Sequence, residues 1–164
     1  MRYDPSLVEH FSSLSRPQRK ALLGAAFDVA MSDGELAEEE VDQIYRLGWA
    51  LGFNKNFCLK TMVRSIDQIE ANPEERQAFL AIQFRGMPRK DVAIMVAIAL
   101  SVLIDGKVMQ EERKMAHDYG ELLGFAKDEV DRIMQVCGEG PEVTPDLESL
   151  KGLLTALQLD GQAS

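Results

Sequence analysis

The sequence is poor in cysteine, and it lacks an excess of basic residues. Its two cysteines, Cys58 and Cys137, are far apart and form no CxxC pair, which excludes a disulfide framework or zinc ribbon and indicates a reducing compartment. With 27 acidic and 18 basic residues the net charge is −9, which disfavours nucleic acid and anionic lipid as partners. The N-terminal sequence MRYDPSLVEHFSSLSRPQRK lacks the apolar run of a secretory signal, so we predict a cytoplasmic protein.

A membrane-spanning segment is also missing. The longest apolar stretch covers residues 92–104, with 12 apolar residues of 13. A spanning helix needs about 20 apolar residues, whereas a shorter helix that is apolar all round is typical of the core of a soluble bundle. We therefore predict no direct membrane insertion. With 46% apolar residues in 164, the chain is long enough to form one compact domain.

Prolines next to capping residues mark the starts of successive helices, and no segment has the alternation of a strand. Ser15 with Gln18, and Asn72 with Glu75, fit the spacing of capping boxes. The predicted fold class is all-α, a compact bundle of about seven to nine helices. The predicted helices cover residues 5–14, 17–32, 38–52, 55–71, 73–85, 88–104, 110–123, 127–138 and 145–159.

The chain contains an internal repeat. Residues 21–62 align without a gap with residues 93–134, with 12 identities in 42 positions. The identities include an Asp-Gly turn, two glutamates after it, a later glycine and a Leu-Gly-Phe triplet: Asp33/Asp105, Gly34/Gly106, Glu39/Glu111, Glu40/Glu112, Gly48/Gly120 and 51–53/123–125. We predict two helical units packed about a pseudo-two-fold axis. The single domain, 1–164, then contains repeat one (17–62), bridging helices (63–92), repeat two (93–135) and a C-terminal helix (144–160).

The first repeated turn is strongly acidic, because residues 32–42 hold six acids and no base. Helix capping accounts for this pattern without a ligand. Gly34 provides the left-handed residue that ends one helix, and acids in the first turn of the next helix face the positive end of its dipole. Under this interpretation the glutamates stabilise a helix start and bind nothing.

The alternative is a divalent cation site. If Gly34 takes position 6 of a calcium loop, Glu40 falls at position 12, where such a loop has a glutamate ligand. Positions 1 and 3, however, are then Val29 and Met31, whose apolar side chains cannot bind calcium. The second copy fails at the same two places, so neither turn is an EF-hand. A cation, with calcium favoured, would instead lie at a cluster shared by the two turns. The candidate ligands are Asp33, Glu39, Glu40, Asp105, Glu111 and Glu112.

The duplicated pattern, an apolar helix, then Asp-Gly-x-hydrophobic, a glutamate and Leu-Gly-Phe, resembles the TerB-like family of bacterial tellurite-resistance proteins over about residues 17–135. The resemblance implies a small helical bundle with an acidic patch that binds divalent cations, a role in tellurite and stress resistance, and assembly with other proteins. It carries the family's acidic residues to the same six positions. The second copy departs from the pattern, with Ile104 in place of Ser32 and basic residues at Lys107, Arg113 and Lys114, which makes it the poorer cation site.

An enzyme is disfavoured. The chain has two histidines, and no nucleophile and base lie at a recognisable spacing. Asp118 and Glu121 could join His117 as metal ligands, but a solvated helix face is the favoured interpretation. We expect a non-enzymatic TerB-like protein that binds a cation and an unidentified protein partner.

The alternative function is a metal-independent helical interaction module or scaffold. Eight methionines, Met31, Met62, Met95, Met115 and Met134 among them, are suited either to an adaptable groove or to a core. A homodimer is a further alternative, because paired helices can pair again.

Overall fold

The computed structural model describes residues 5–32, 34, 38–88, 92 and 110–138, with the side chains of 111, 112 and 134–138 left aside. Throughout these ranges the protein is helical without strands, as predicted for an all-α fold. Seven helices lie in them: α1 (Pro5–Ser12), α2 (Arg16–Ala30), α3 (Glu38–Ala50), α4 (Lys55–Ala71), α5 (Pro73–Ile82), α6 (Gln110–Leu122) and α7 (Lys127–Gly138). The predicted helices 88–104 and 145–159, apart from Pro88 and Val92, and the predicted pseudo-two-fold axis fall outside the described residues.

Helix α2 is the centre of the described bundle. It contacts α3, α4, α5 and α6 and buries nine of its 15 residues. Leu22, Leu23 and Phe27 are almost fully buried and belong to the same apolar core as Ile44 and Leu47 of α3. Each such side chain contributes about 1.5–3 kcal/mol when it is removed from water, so the contacts of α2 dominate the stability of this part of the fold. None of the described helices is long and apolar enough to cross a membrane.

The two predicted capping boxes differ in the structure. At Ser15 both reciprocal bonds form: the Ser15 hydroxyl accepts from the Gln18 amide, and the Gln18 side chain accepts from the Ser15 amide. At Asn72 only half of the box forms, because the Asn72 backbone amide already donates to the carbonyl of Gln68 and thereby ends α4. The Glu75 carboxylate accepts instead from the Asn72 side-chain amide at 2.9 Å. One asparagine thus ends α4 and begins α5.

The two Leu-Gly-Phe triplets form the same turn. The Phe53 amide donates to the carbonyl of Gly48 at 2.8 Å, and the Phe125 amide donates to that of Gly120 at 2.7 Å. The glycine in the middle of each triplet has a φ of 88° or 91°, in the left-handed region that favours glycine. Helices α3 and α6 begin at positions that the repeat alignment pairs, and so do α4 and α7. The later part of both repeat units therefore shares its local structure.

The repeated glycine within α3 and α6, Gly48 and Gly120, by contrast, lies where two helices touch. A Cβ built on Gly48 of α3 would overlap the Cys58 sulfur of α4, and one built on Gly120 of α6 would overlap Cγ2 of Val130 in α7. Cys58 and Val130 themselves occupy equivalent positions of the two repeat units. The repeated glycine therefore provides the space in which the two helices of each pair approach each other.

Cys58 is expected to react slowly with thiol reagents in the folded protein. The residue is 1% exposed, and burial raises the pKa of its thiol, which lowers the fraction of reactive thiolate near neutral pH. In a Cys137→Ser variant, labelling by a chromogenic disulfide should be at least about tenfold slower in the native protein than in urea, and should speed up as pH rises. Equal rates in the folded and unfolded protein would contradict the buried position.

Candidate functional site

The predicted cation ligands are described only in part. Glu39 is exposed and Glu40 is partly buried, both in the first turn of α3. Glu111 and Glu112 lie in the first turn of α6, but their side chains are outside the described set, as are Asp33 and Asp105 entirely. The predicted cluster shared by the two turns therefore falls outside the described residues.

Gly34 has the left-handed conformation that the capping interpretation assigns to it, but it lies three residues beyond the C-cap of α2 and does not itself end that helix. Its φ is 84°, and its amide donates to the carbonyl of Met31, the residue that closes α2, at 2.9 Å. Within the described ranges, no group of three or more His, Cys, Asp or Glu side chains lies close enough to share a metal ion.

His117 pairs with a residue that the sequence did not single out. Its Nε2 lies 2.7 Å from Oδ1 of Asp131, so the contact joins α6 to α7. Asp118 and Glu121, the companions that the sequence offers this histidine, are not its hydrogen-bond partners. The ring is 17% exposed. His117 therefore holds two helices together.

The methionines of the described chain support the core interpretation. Met62 is buried, and Met31, Met87 and Met115 pack against the apolar core. Met115 also accepts a hydrogen bond from the Gln77 side chain at its sulfur. Met95 and the side chain of Met134 are outside the described set. The described methionines thus fill gaps in the core, a use suited to their flexible side chains.

A buried polar network crosses the centre of the bundle. The Arg76 Nε donates to both carboxylate oxygens of Asp28 at 2.9 Å, and Arg76 Nη2 donates to the Ser65 hydroxyl at 2.7 Å. The Tyr119 hydroxyl donates to Asp28 Oδ2 at 2.5 Å, and the Gln68 side-chain oxygen accepts from Arg76 Nη1. Buried charges are tolerated when they are paired and hydrogen-bonded in this way. The network ties α2, α4, α5 and α6 together.

Burial dominates the electrostatics of this network. Asp28 is 2% exposed, and desolvation raises the pKa of its carboxyl above the usual value, although the hydrogen bond and charge of Arg76 lower it. The pKa of Tyr119 is also raised, first by desolvation and then by the charge of Asp28 and the hydrogen bond to it. Tyr119 therefore stays protonated and serves as a hydrogen-bond donor.

Arg76 also forms part of the wall of a cleft between α2, α4 and α5. The cleft has a volume of 320 Å³, which is at the small end of the range for ligand pockets. Among the described residues that line it, four are basic and none is acidic: Arg16, Lys20, Arg64 and Arg76. A Cβ on Gly24 would lie 3.2 Å from Arg76 Nη2, so this glycine leaves room for the guanidinium.

Two aromatic rings position the basic residues that α2 contributes to the cleft. Phe53 and Phe57 stack with their centroids 4.3 Å apart. The Arg16 guanidinium lies over both rings, 5.4 and 5.3 Å from their centroids, and the Lys20 ammonium lies 5.7 Å from that of Phe57. Cation–π attraction at these distances holds both side chains beside the cleft.

Sequence reasoning missed both the network and the cleft, although one signal was present. Residues 21–31 read ALLGAAFDVAM, an apolar run interrupted by the single charge of Asp28. A charge at the centre of a buried helix has to find a partner, so this position pointed to a buried ion pair. The partner, Arg76, lies 48 residues away in the bridging segment and has no local sequence signal.

Comparison of the chain with protein-family models, with curated proteins and with solved structures gave no match.

Proposed function

We propose that the chain is a non-enzymatic TerB-like binding protein, associated with tellurite or other stress resistance, whose repeated acidic turn binds a divalent cation, with calcium favoured. The observation that carries the proposal is the register of two helix starts. Helices α3 and α6 begin at equivalent positions of the two repeat units, and each has glutamate at its second and third positions. Carboxylates repeated at equivalent helix starts offer the oxygen ligands that calcium prefers.

Accessibility of the first turn supports the same proposal. Glu38 and Glu39 are exposed at the start of α3. A cation can reach them without an opening of the core, and water can complete its coordination shell. The basic Arg113 and Lys114 in the second copy are also exposed, and they lower the affinity expected there. The first copy is therefore the stronger half of the proposed site.

The second candidate function is a metal-independent interaction module, and the outer face of α4 favours it. Leu59, Val63 and Ile66 follow one another at helical spacing and are all exposed, with Val63 at 55%. A row of exposed apolar side chains on one helix is typical of a surface that contacts another protein. Under this proposal a protein partner, or a second copy of the chain, covers the row.

Isothermal titration calorimetry of chelator-treated protein with calcium, followed by magnesium, manganese and zinc, tests the main proposal. We expect saturable calcium binding, and a rise in melting temperature because the ligand binds the folded state. Asp33→Asn should weaken the binding at least about tenfold, and addition of Asp105→Asn should abolish it, since each change removes a charged ligand.

Asp67→Asn is the matched control, because it removes the same charge at an exposed position of α4. Equal weakening by Asp67→Asn and Asp33→Asn would mean that calcium responds only to the overall negative charge. Flat titrations with all four metals would contradict the cation site and would mean that the acidic residues of the turn serve only to stabilise the start of the helix. In that case sedimentation velocity of the wild type and Val63→Glu would test the second candidate, with a concentration-dependent dimer lost in the variant as its expected result.

A further inference from the structure

We propose that the basic cleft between α2, α4 and α5 binds a small phosphate monoester that carries an apolar group. None of the described residues that line the cleft belongs to the acidic turn. Its charge is the opposite of that of the whole chain: four basic side chains line it in a protein of net charge −9. A concave site lined by one sign of charge concentrates ligands of the other sign.

The positive charge of the cleft is only partly neutralised within the described chain. Arg76 is paired with Asp28, but Arg16, Lys20 and Arg64 form no ion pair with any described carboxylate. Three cations beside one cavity favour a doubly charged phosphate over a singly charged carboxylate. The ligand would thus supply the counter-charge that the described carboxylates do not.

The cleft also has oriented hydrogen-bond donors. Arg76 uses Nε for Asp28 and one N–H of each terminal nitrogen for Ser65 and Gln68, so each terminal nitrogen retains one N–H. Because a guanidinium only donates, Gln68 must turn its oxygen toward Arg76, which leaves its NH₂ group to donate elsewhere. The Arg76 donors are held by the buried ion pair with Asp28 and lose little freedom when a ligand binds.

Apolar residues complete the lining and suggest the rest of the ligand. Phe79 is 65% exposed at the cleft, and Pro17, Ala21 and Leu80 lie along its wall. Such a surface suits an aromatic or aliphatic group attached to the phosphate. The volume of 320 Å³ has room for a small ester. The site therefore recognises a charged head and an apolar body together.

Titration of the full chain with phenyl phosphate, inorganic phosphate and benzyl alcohol tests this proposal, with binding followed by calorimetry and by ligand-detected NMR. We expect saturable binding of phenyl phosphate, weaker binding of inorganic phosphate and none of benzyl alcohol. Lys20→Gln and Arg64→Gln should each weaken phenyl phosphate binding about tenfold, as expected for loss of one charge-assisted contact. Phe79→Ser should weaken phenyl phosphate binding and leave inorganic phosphate unchanged.

Lys127→Gln is the matched control, because it removes one exposed positive charge at the start of α7, outside the cleft. It should leave the affinity within about twofold of the wild type. Absence of saturable binding, or an equal loss in Lys127→Gln and Lys20→Gln, would overturn the proposal. Equal affinity for phenyl phosphate and inorganic phosphate would contradict the proposal that the cleft recognises an apolar group. All these substitutions are at exposed positions, so circular dichroism should show an unchanged helix content.

Discussion

Replacement of Arg76 by methionine is expected to destabilise the protein by about 3–5 kcal/mol, the range for a buried ion pair that loses one partner. Asp28, which is 2% exposed in the wild type, would stay in the middle of α2, with the Tyr119 hydroxyl as the remaining donor described for its carboxylate. Methionine is unbranched like the stem of arginine and keeps its apolar contacts, so the change acts mainly on charge. Urea unfolding at equilibrium measures the effect.

A double-mutant cycle with Asp28→Asn separates the cost of a stranded charge from a general loss of packing. In the wild type, Asp28→Asn should be destabilising, because it leaves Arg76 without its carboxylate. In the Arg76→Met background the same change should be neutral or stabilising, since it removes the stranded charge and keeps an acceptor for Tyr119. Additive losses in the double variant would contradict a coupled pair.

The pH dependence gives an independent check on the same pair. The pKa of Asp28 is raised above 3.8 in the folded protein, so the folded state takes up this proton before the unfolded chain does. The contribution of Asp28 to stability therefore falls as pH rises through the interval between the two pKa values. Arg76→Met removes the hydrogen bond and the charge of Arg76, which lower this pKa, leaves the Tyr119 hydrogen bond in place, and extends the interval upward. The destabilisation by Arg76→Met should therefore shrink as the pH is lowered from neutral.

The helices were the most predictable part of this protein, because local signals define them. The start of α5 at Pro73 and the capping box at Ser15 follow from residues a few positions apart. The same holds for the turns that follow α3 and α6, where the repeat itself indicated a common structure. The half-formed box at Asn72 was the exception. There the end of α4 had already taken the backbone amide that the predicted box needed.

The contacts between distant residues could not be predicted in the same way. Asp28 signalled a buried charge, but nothing in the sequence paired it with Arg76 or Tyr119, which lie 48 and 91 residues away. The cleft was missed for a related reason. Its basic residues come from three helices, and the overall acidity of the chain drew attention to the acidic turn. Net charge describes the whole surface, whereas a ligand site depends on charges that the fold brings together.

A second pair of substitutions tests the helix contacts shared by the two repeat units. Gly120→Ala is expected to destabilise the protein by about 1–3 kcal/mol, the usual cost of overfilling a packed core, although alanine gains about 1 kcal/mol in helix propensity. The added Cβ would overlap Val130, whose branched side chain has one strongly preferred rotamer in a helix and cannot turn away. Gly48→Ala should cost less, because the single Cys58 sulfur can adopt another rotamer.

Truncation of the side chain that each new Cβ would overlap should abolish or reverse the destabilisation by Gly120→Ala and by Gly48→Ala. In a Val130→Ala background the new Cβ at position 120 would lie 3.7 Å from Cβ of residue 130, an ordinary contact, so Gly120→Ala should become neutral or stabilising by up to about 1 kcal/mol. Gly48→Ala should behave in the same way in a Cys58→Ala background. Urea unfolding of both cycles gives the comparison. Gly120→Ala or Gly48→Ala with the same cost in both backgrounds would mean that the repeated glycine serves something other than the close contact of the two helices.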